Sequence, residues 1–169
     1  DLKIDKAILN QHAESYRKIR NTLRFLLGNL NDKLLNDDFS NIEYSKLSSL
    51  EKYILTQVYD FDLRFRDYIK SYNFHKIYIE LLNFCTLDLS AFYFDIKKDI
   101  LYCDSQNSQR RNNCLEVLNV LINFLLKWFS PILAFTSEEA YHVIKNKKYN
   151  LMPLRRFSSM TKKLVVFEL

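Results

Sequence analysis

Glycine and proline are nearly missing from this sequence, with one Gly and two Pro in 169 residues. A sheet of many short strands needs Gly, Pro, Asn and Asp at its corners, so their scarcity points to a few long helices joined by Asn, Ser and Asp. A single glycine also excludes the glycine-rich loop that cradles phosphates and the Gly-x-Ser-x-Gly turn of a serine hydrolase. No His-Glu-x-x-His occurs, and His12, His75 and His142 are scattered, so no catalytic constellation is expected. Cys85, Cys103 and Cys114 never fall at Cys-x-x-Cys spacing, which argues against a zinc site or a disulfide framework and reads as reduced thiols. Long apolar runs are lacking too. Leu118 to Leu126 is interrupted by Asn119 and Asn123 and falls short of the ~20 residues a bilayer requires. Nor do the first residues have the basic-then-apolar order of a signal peptide. The expectation is a cytoplasmic protein with no membrane span, no metal and no cofactor of its own in this stretch.

What is present is apolar periodicity at helical spacing. Leu9, Ala13, Tyr16, Ile19, Leu23, Leu26 and Leu30 recur every three or four positions, which predicts a first helix from about Asp5 to Leu27, ended by Gly28 in a left-handed conformation. Asn29 to Lys46 is polar and reads as a long connection. Ser48 with Glu51 makes a capping box for a second helix running to Tyr72. Asn73 is placed to cap a third helix through Cys85, with a continuation through Ile96 after a break near Leu87-Asp88. Ser105 to Gln109 reads as a loop, and a fourth helix from about Arg111 to Phe129 stops before Pro131. Thr136 and Glu139 read as a second capping box, for a short fifth helix ending near Lys145. The predicted fold is all-α, an antiparallel bundle of about five helices over residues 1–145. A basic, irregular extension over 146–169 carries a candidate strand at Leu164 to Phe167.

The net charge of +5 is modest, and its distribution says more than its total. On the first helix Arg17, Arg20 and Arg24 line one stripe with Asn21, Lys18 stands to one side, and no acid occurs between Glu14 and Asp32. These cations are therefore expected to lack a partner within the helix. Arginine forks suit phosphates and base edges, and an asparagine amide reads a base by hydrogen bonding. A solvated helix face is the plainer alternative. The stretch between Glu139 and Glu168 is also free of acids and carries Lys145, Lys147, Lys148, Arg155, Arg156, Lys162 and Lys163, either a solvated tail or a phosphate-tracking arm. Phe92, Tyr93 and Phe94 are consecutive, so one should lie near the surface, and Tyr93 is the expected one, available to stack on a base.

These residues carry a resemblance. The run Ala13-Glu-Ser-Tyr-Arg-Lys-Ile-Arg-Asn-Thr-Leu-Arg-Phe-Leu-Leu-Gly-Asn-Leu30 resembles the start of the anticodon-binding helical domain of bacterial-type isoleucyl-tRNA synthetases. Asn83 to Asp99 with Leu101-Tyr102, and Pro131 to Glu139, agree in the same order. Valyl, leucyl and methionyl enzymes share the architecture, but the wording around Tyr16 to Thr22 and Ser90 to Asp99 is closer to the isoleucine enzymes. The resemblance implies a class I synthetase that charges isoleucine tRNA, with ATP and Mg handled by a catalytic domain. Neither a His-x-Gly-His nor a Lys-Met-Ser-Lys-Ser motif occurs in this chain, so this stretch should be the anticodon reader alone, partnered by the anticodon stem-loop and by the catalytic domain. Carried over, the candidate RNA-binding residues are Arg17, Lys18, Arg20, Asn21 and Arg24, then Phe92, Tyr93 and Arg111. The chain departs from the family around Arg111, Asn112, Leu115 and Glu116, where a second Arg and a Gln-Thr pair are missing. The competing roles are a structural buttress for the catalytic domain and a protein-interaction bundle with an exposed apolar face.

Overall fold

The computed structural model describes residues 5–30, 39 and 42–145. Five helices fill these residues, and no strand occurs among them: α1 (Lys6–Asn29), α2 (Ser49–Lys70), α3 (Phe74–Cys103), α4 (Gln109–Phe129) and α5 (Ala134–Lys145). A single 3₁₀ turn, Tyr44–Lys46, precedes α2. The candidate strand at Leu164 to Phe167 and the cations beyond Lys145 lie outside the described residues.

The helices α2, α3 and α4 run antiparallel in succession, as their cross-contacts show. Arg64 and Tyr68 near the end of α2 meet Glu80 near the start of α3, whereas Glu51 at the start of α2 meets Lys97 near the end of α3. Tyr93 meets Cys114 and Phe84 meets Trp128, which sets α4 antiparallel to α3. The helix α4 is the centre: from Asn113 onward nearly every side chain is buried, as expected of a helix with neighbours all round. Trp128 packs against Phe61, Phe65, Phe84 and Phe124, and its indole N–H donates to the fully buried Asp62 at 3.0 Å.

The capping box at Ser48 is complete in both directions, with the Glu51 carboxylate accepting from the Ser48 N–H at 2.7 Å. Its second oxygen takes the buried Lys97 ammonium at 2.6 Å, so one carboxylate both starts α2 and ties it to α3. Four expectations are corrected. Gly28 does not end α1: it sits inside the last turn with no positive φ, and α1 closes at Leu30. Asn73 makes no side-chain cap; the chain turns through Tyr72 at φ 54° instead. Thr136 and Glu139 form no capping box, because α5 begins at Ala134 and both stand inside it.

The fourth correction concerns α3. There is no break at Leu87-Asp88; residues Phe84–Tyr93 are wound as a π-helix inside one continuous helix. Its wider turn carries the buried positions at intervals of four: Ile77, Leu81, Cys85, Leu89, Tyr93, Lys97 and Leu101. An α-helix at ~3.6 residues per turn would rotate such a series off the core. The carbonyl of Cys85, inside the π stretch, also accepts from Ser90 Oγ at 2.7 Å and from Thr22 Oγ1 of α1 at 3.4 Å. By length and composition α3 is apolar enough to cross a membrane, with an 18-residue window of mean hydropathy 1.2. Of that window 39% is buried, and those positions pack on the other helices of the bundle.

Candidate nucleic-acid interface

The helix α1 buries Ile19, Thr22, Leu23 and Leu26. With side chains repeating every 3.6 residues, Arg17, Arg20, Asn21 and Arg24 must then face away from the core, and all four are exposed, as is Lys18 on the flank toward α3. The structure therefore exposes all five α1 candidates, with Arg20 turned toward α5 and Lys18 on the opposite flank, and it does not leave them in equal states.

Arg17 is paired with Glu14, one turn back on the same helix, which corrects the expectation that these cations lack an intrahelical partner. Arg20 is held from α5: its Nη1 donates to Glu139 Oε2 at 3.1 Å and to the Tyr16 hydroxyl at 3.3 Å. The Tyr16 hydroxyl in turn lies 2.8 Å from Thr136 Oγ1. The hydrogen bonds from Thr136 and Arg20 draw the Tyr16 phenol below its ordinary pKa, and the Tyr16 and Glu139 contacts hold the Arg20 guanidinium above its own. Arg24, Lys18 and Asn21 have no side-chain partner among the described residues. Between α1 and α5 lies a groove of about 530 Å³, walled by Asn21, Arg24, Leu27 and Gly28 on one side and by Glu139 and Val143 on the other.

The aromatic candidates separate. Tyr93 is fully buried, its hydroxyl 3.9 Å from Cys114 Sγ and its ring under the Lys97 ammonium, so the expected exposure of Tyr93 is corrected. The cause is the π-helical winding: after Leu89 the core face returns four and five residues on, at Tyr93 and Phe94, and Phe92 is turned out. Phe92 is 44% exposed and meets the equally exposed Tyr53 of α2 edge-on at 6.4 Å. That pair belongs to the α2/α3 side of the bundle, not to the α1/α5 groove. Phe94 stacks on Phe25 of α1 at 4.3 Å. Arg111 is half-buried and donates through Nε to the Leu101 carbonyl at 3.1 Å, closing the end of α3.

Sequence reasoning missed Thr136, Glu139 and Val143 as members of the surface, because they lie more than a hundred residues from α1. The only signal was that Glu139 was assigned to a cap that α5 does not use. Among the described residues, no three His, Cys, Asp or Glu converge to hold a metal ion. The arrangement offers cationic forks, an amide and a carboxylate on a helical face, which is binding chemistry.

Comparison with known proteins agrees with that geometry. A family model for the anticodon-binding domain of tRNA ligase matches residues 51–165. An isoleucine–tRNA ligase of Pelagibacter ubique (strain HTCC1062) is 55% identical over 157 residues, covering 93% of this chain and 17% of that protein. Those of Carboxydothermus hydrogenoformans and Agrobacterium fabrum are 43% and 41% identical over 141 residues, 83% of this chain and 15% and 14% of theirs. The first match leaves about a dozen residues of the chain outside it, so the α1 stripe lies within it although the family model begins at residue 51. The chain spans about one sixth of the length of these relatives. The chain belongs to the family of anticodon-binding domains of tRNA ligases.

Proposed function

We propose that the exposed face of α1 binds the anticodon arm of isoleucine tRNA, within a cytoplasmic enzyme that joins isoleucine to that tRNA at the expense of ATP, with Mg as a cofactor. The observation that carries this reading is the uncommitted part of the stripe with its flank: Arg24 and Asn21, and Lys18 to one side, are exposed and have no side-chain partner among the described residues. Two cations and an amide on one helix position a phosphate backbone and reach a base edge. Catalysis falls to other parts of the longer chain, whose nucleotide-binding domain is the module's second partner.

Binding of an RNA stem-loop to the full chain across a salt series tests the reading. Each phosphate contact adds roughly one unit to the slope of log affinity against log salt. Arg24→Ala should weaken binding and flatten that slope by about one contact. Arg20→Ala should do less to the slope, since Glu139 already neutralises that charge. Identical affinity and slope in Arg24→Ala and Lys18→Ala would remove α1 from the interface. The buttress reading has one observation in its favour, namely that Arg17 and Arg20 already pair within the module, and it predicts that outcome.

A further inference from the structure

Gly28 is the only glycine of the chain, and nothing inside the described module asks for it. Its backbone is helical and its φ is not positive, so its conformational freedom is unused while the helix loses stability relative to alanine. Packing does not require it either: a Cβ built there meets no described atom within 4 Å. Residue 28 is exposed and lines the groove between α1 and α5. A bare backbone in a helix, facing open space at the edge of a groove, is accounted for when something outside the module lies against it.

We propose that this groove seats one unpaired nucleotide of the bound RNA, its sugar and phosphate lying against the bare backbone at Gly28. The inference rests on the RNA-binding reading above and says where on the α1 face an unpaired nucleotide goes. The groove, at about 530 Å³, is in the ~300–1,000 Å³ range of small-molecule sites. Its chemistry is divided as a nucleotide is. Arg24, one helical turn before Gly28, supplies a guanidinium for the phosphate. Leu27 and Val143 give apolar wall for a base face. Asn21 offers an amide donor and acceptor, and Glu139 keeps acceptor lone pairs beyond those used by Arg20, so together they meet a base edge that carries an amino or ring N–H. Arg20 is then a positioning residue, which holds the Glu139 carboxylate at the groove through contacts of 3.1 and 3.5 Å.

The test compares an RNA stem-loop with a blunt duplex of equal phosphate number, bound to the full chain at matched salt. Gly28→Leu should weaken the stem-loop by about tenfold or more, the size of one lost base contact, and leave binding of the duplex unchanged. Gly28→Ala should fall between, with both variants melting no lower than the parent. Glu139→Gln should change the preference among loop bases. Stem-loop affinity unchanged in a folded Gly28→Leu overturns the proposal. Should that variant fail to fold, Gly28→Ala and Val143→Trp, which fills the opposite wall, decide in the same way. Arg24→Ala separates the two readings: if it weakens binding while the groove variants do not, the groove alone is wrong. If no variant alters binding, or the parent binds neither RNA, the RNA-binding reading fails with it.

Discussion

Arg20 and Arg24 stand one turn apart on α1 and meet different surroundings, one clamped by Glu139 and the other open. Charge pattern alone ranks them equally; a partner 119 residues away does not. The same logic separates the cysteines. Burial pushes the Cys85 thiol up to about 12 and the Cys114 thiol up to about 11, whereas Cys103 is exposed. The thiolate is the reactive species, so a maleimide at neutral pH should label Cys103 in the folded protein and the other two only after denaturant is added, read by mass spectrometry. Asp88 and Glu116 have carboxyls raised by desolvation. A folded pKa above the unfolded value means that the native state holds the proton longer, and stability drops as pH rises from about 4 through the raised values. Asp88→Asn should flatten that part of the pH–stability curve in urea melts, and an unaltered curve would show that its burial has no such effect. At Lys97 the stake is larger. Its ammonium and the Glu51 carboxylate are each at most 5% exposed, so Lys97→Met should cost about 3–5 kcal/mol by stranding a buried charge. Adding Glu51→Gln should recover part of that loss.

At the scale of one element, α3 shows how a helix is read correctly in kind and wrongly in phase. Apolar spacing identifies it as helical through Cys85 with a continuation through Ile96 after a break near Leu87-Asp88, whereas the structure shows one helix whose buried positions recur every four residues from Ile77 to Leu101. A strict interval of four over that length is itself the signal, since it matches the wider turn and not ~3.6 residues. The phase error put Tyr93 on the surface in place of Phe92. In the π stretch, Thr22 and Ser90 both reach the Cys85 carbonyl and lie 3.1 Å apart. Thr22→Val alone should therefore destabilise by about 1 kcal/mol, and Thr22→Val with Ser90→Ala by more than the sum of the two single losses, since either hydroxyl covers in part for the other. Chemical denaturation of the two single variants and the double variant measures this as a double-mutant cycle; additive losses would mean that the two hydroxyls do not share the carbonyl.

For the whole molecule, the bundle is held by α4 with its Trp128 cluster and by polar ties between distant helices, and the face of α1 left over is the surface proposed to bind RNA. Gly28→Ala should raise stability by about 0.5–1 kcal/mol, because the helix there gains from a methyl that meets nothing. A lower midpoint in thermal melts would show that the glycine serves the fold after all. By itself the sequence determined the all-helical class, the five helices, the Ser48 capping box, the stop before Pro131 and the basic stripe of α1. Periodicity, caps and charge runs are local, and local spacing carries them. Only the tertiary structure decided that Gly28 lies within a helix, that Tyr93 is inside and Phe92 outside, that Arg111 closes α3, and that Glu139 stands at Arg20. Each of those depends on which surfaces meet across more than one helix, and the phase of a helix against its neighbours is set by packing, not by spacing along one chain segment.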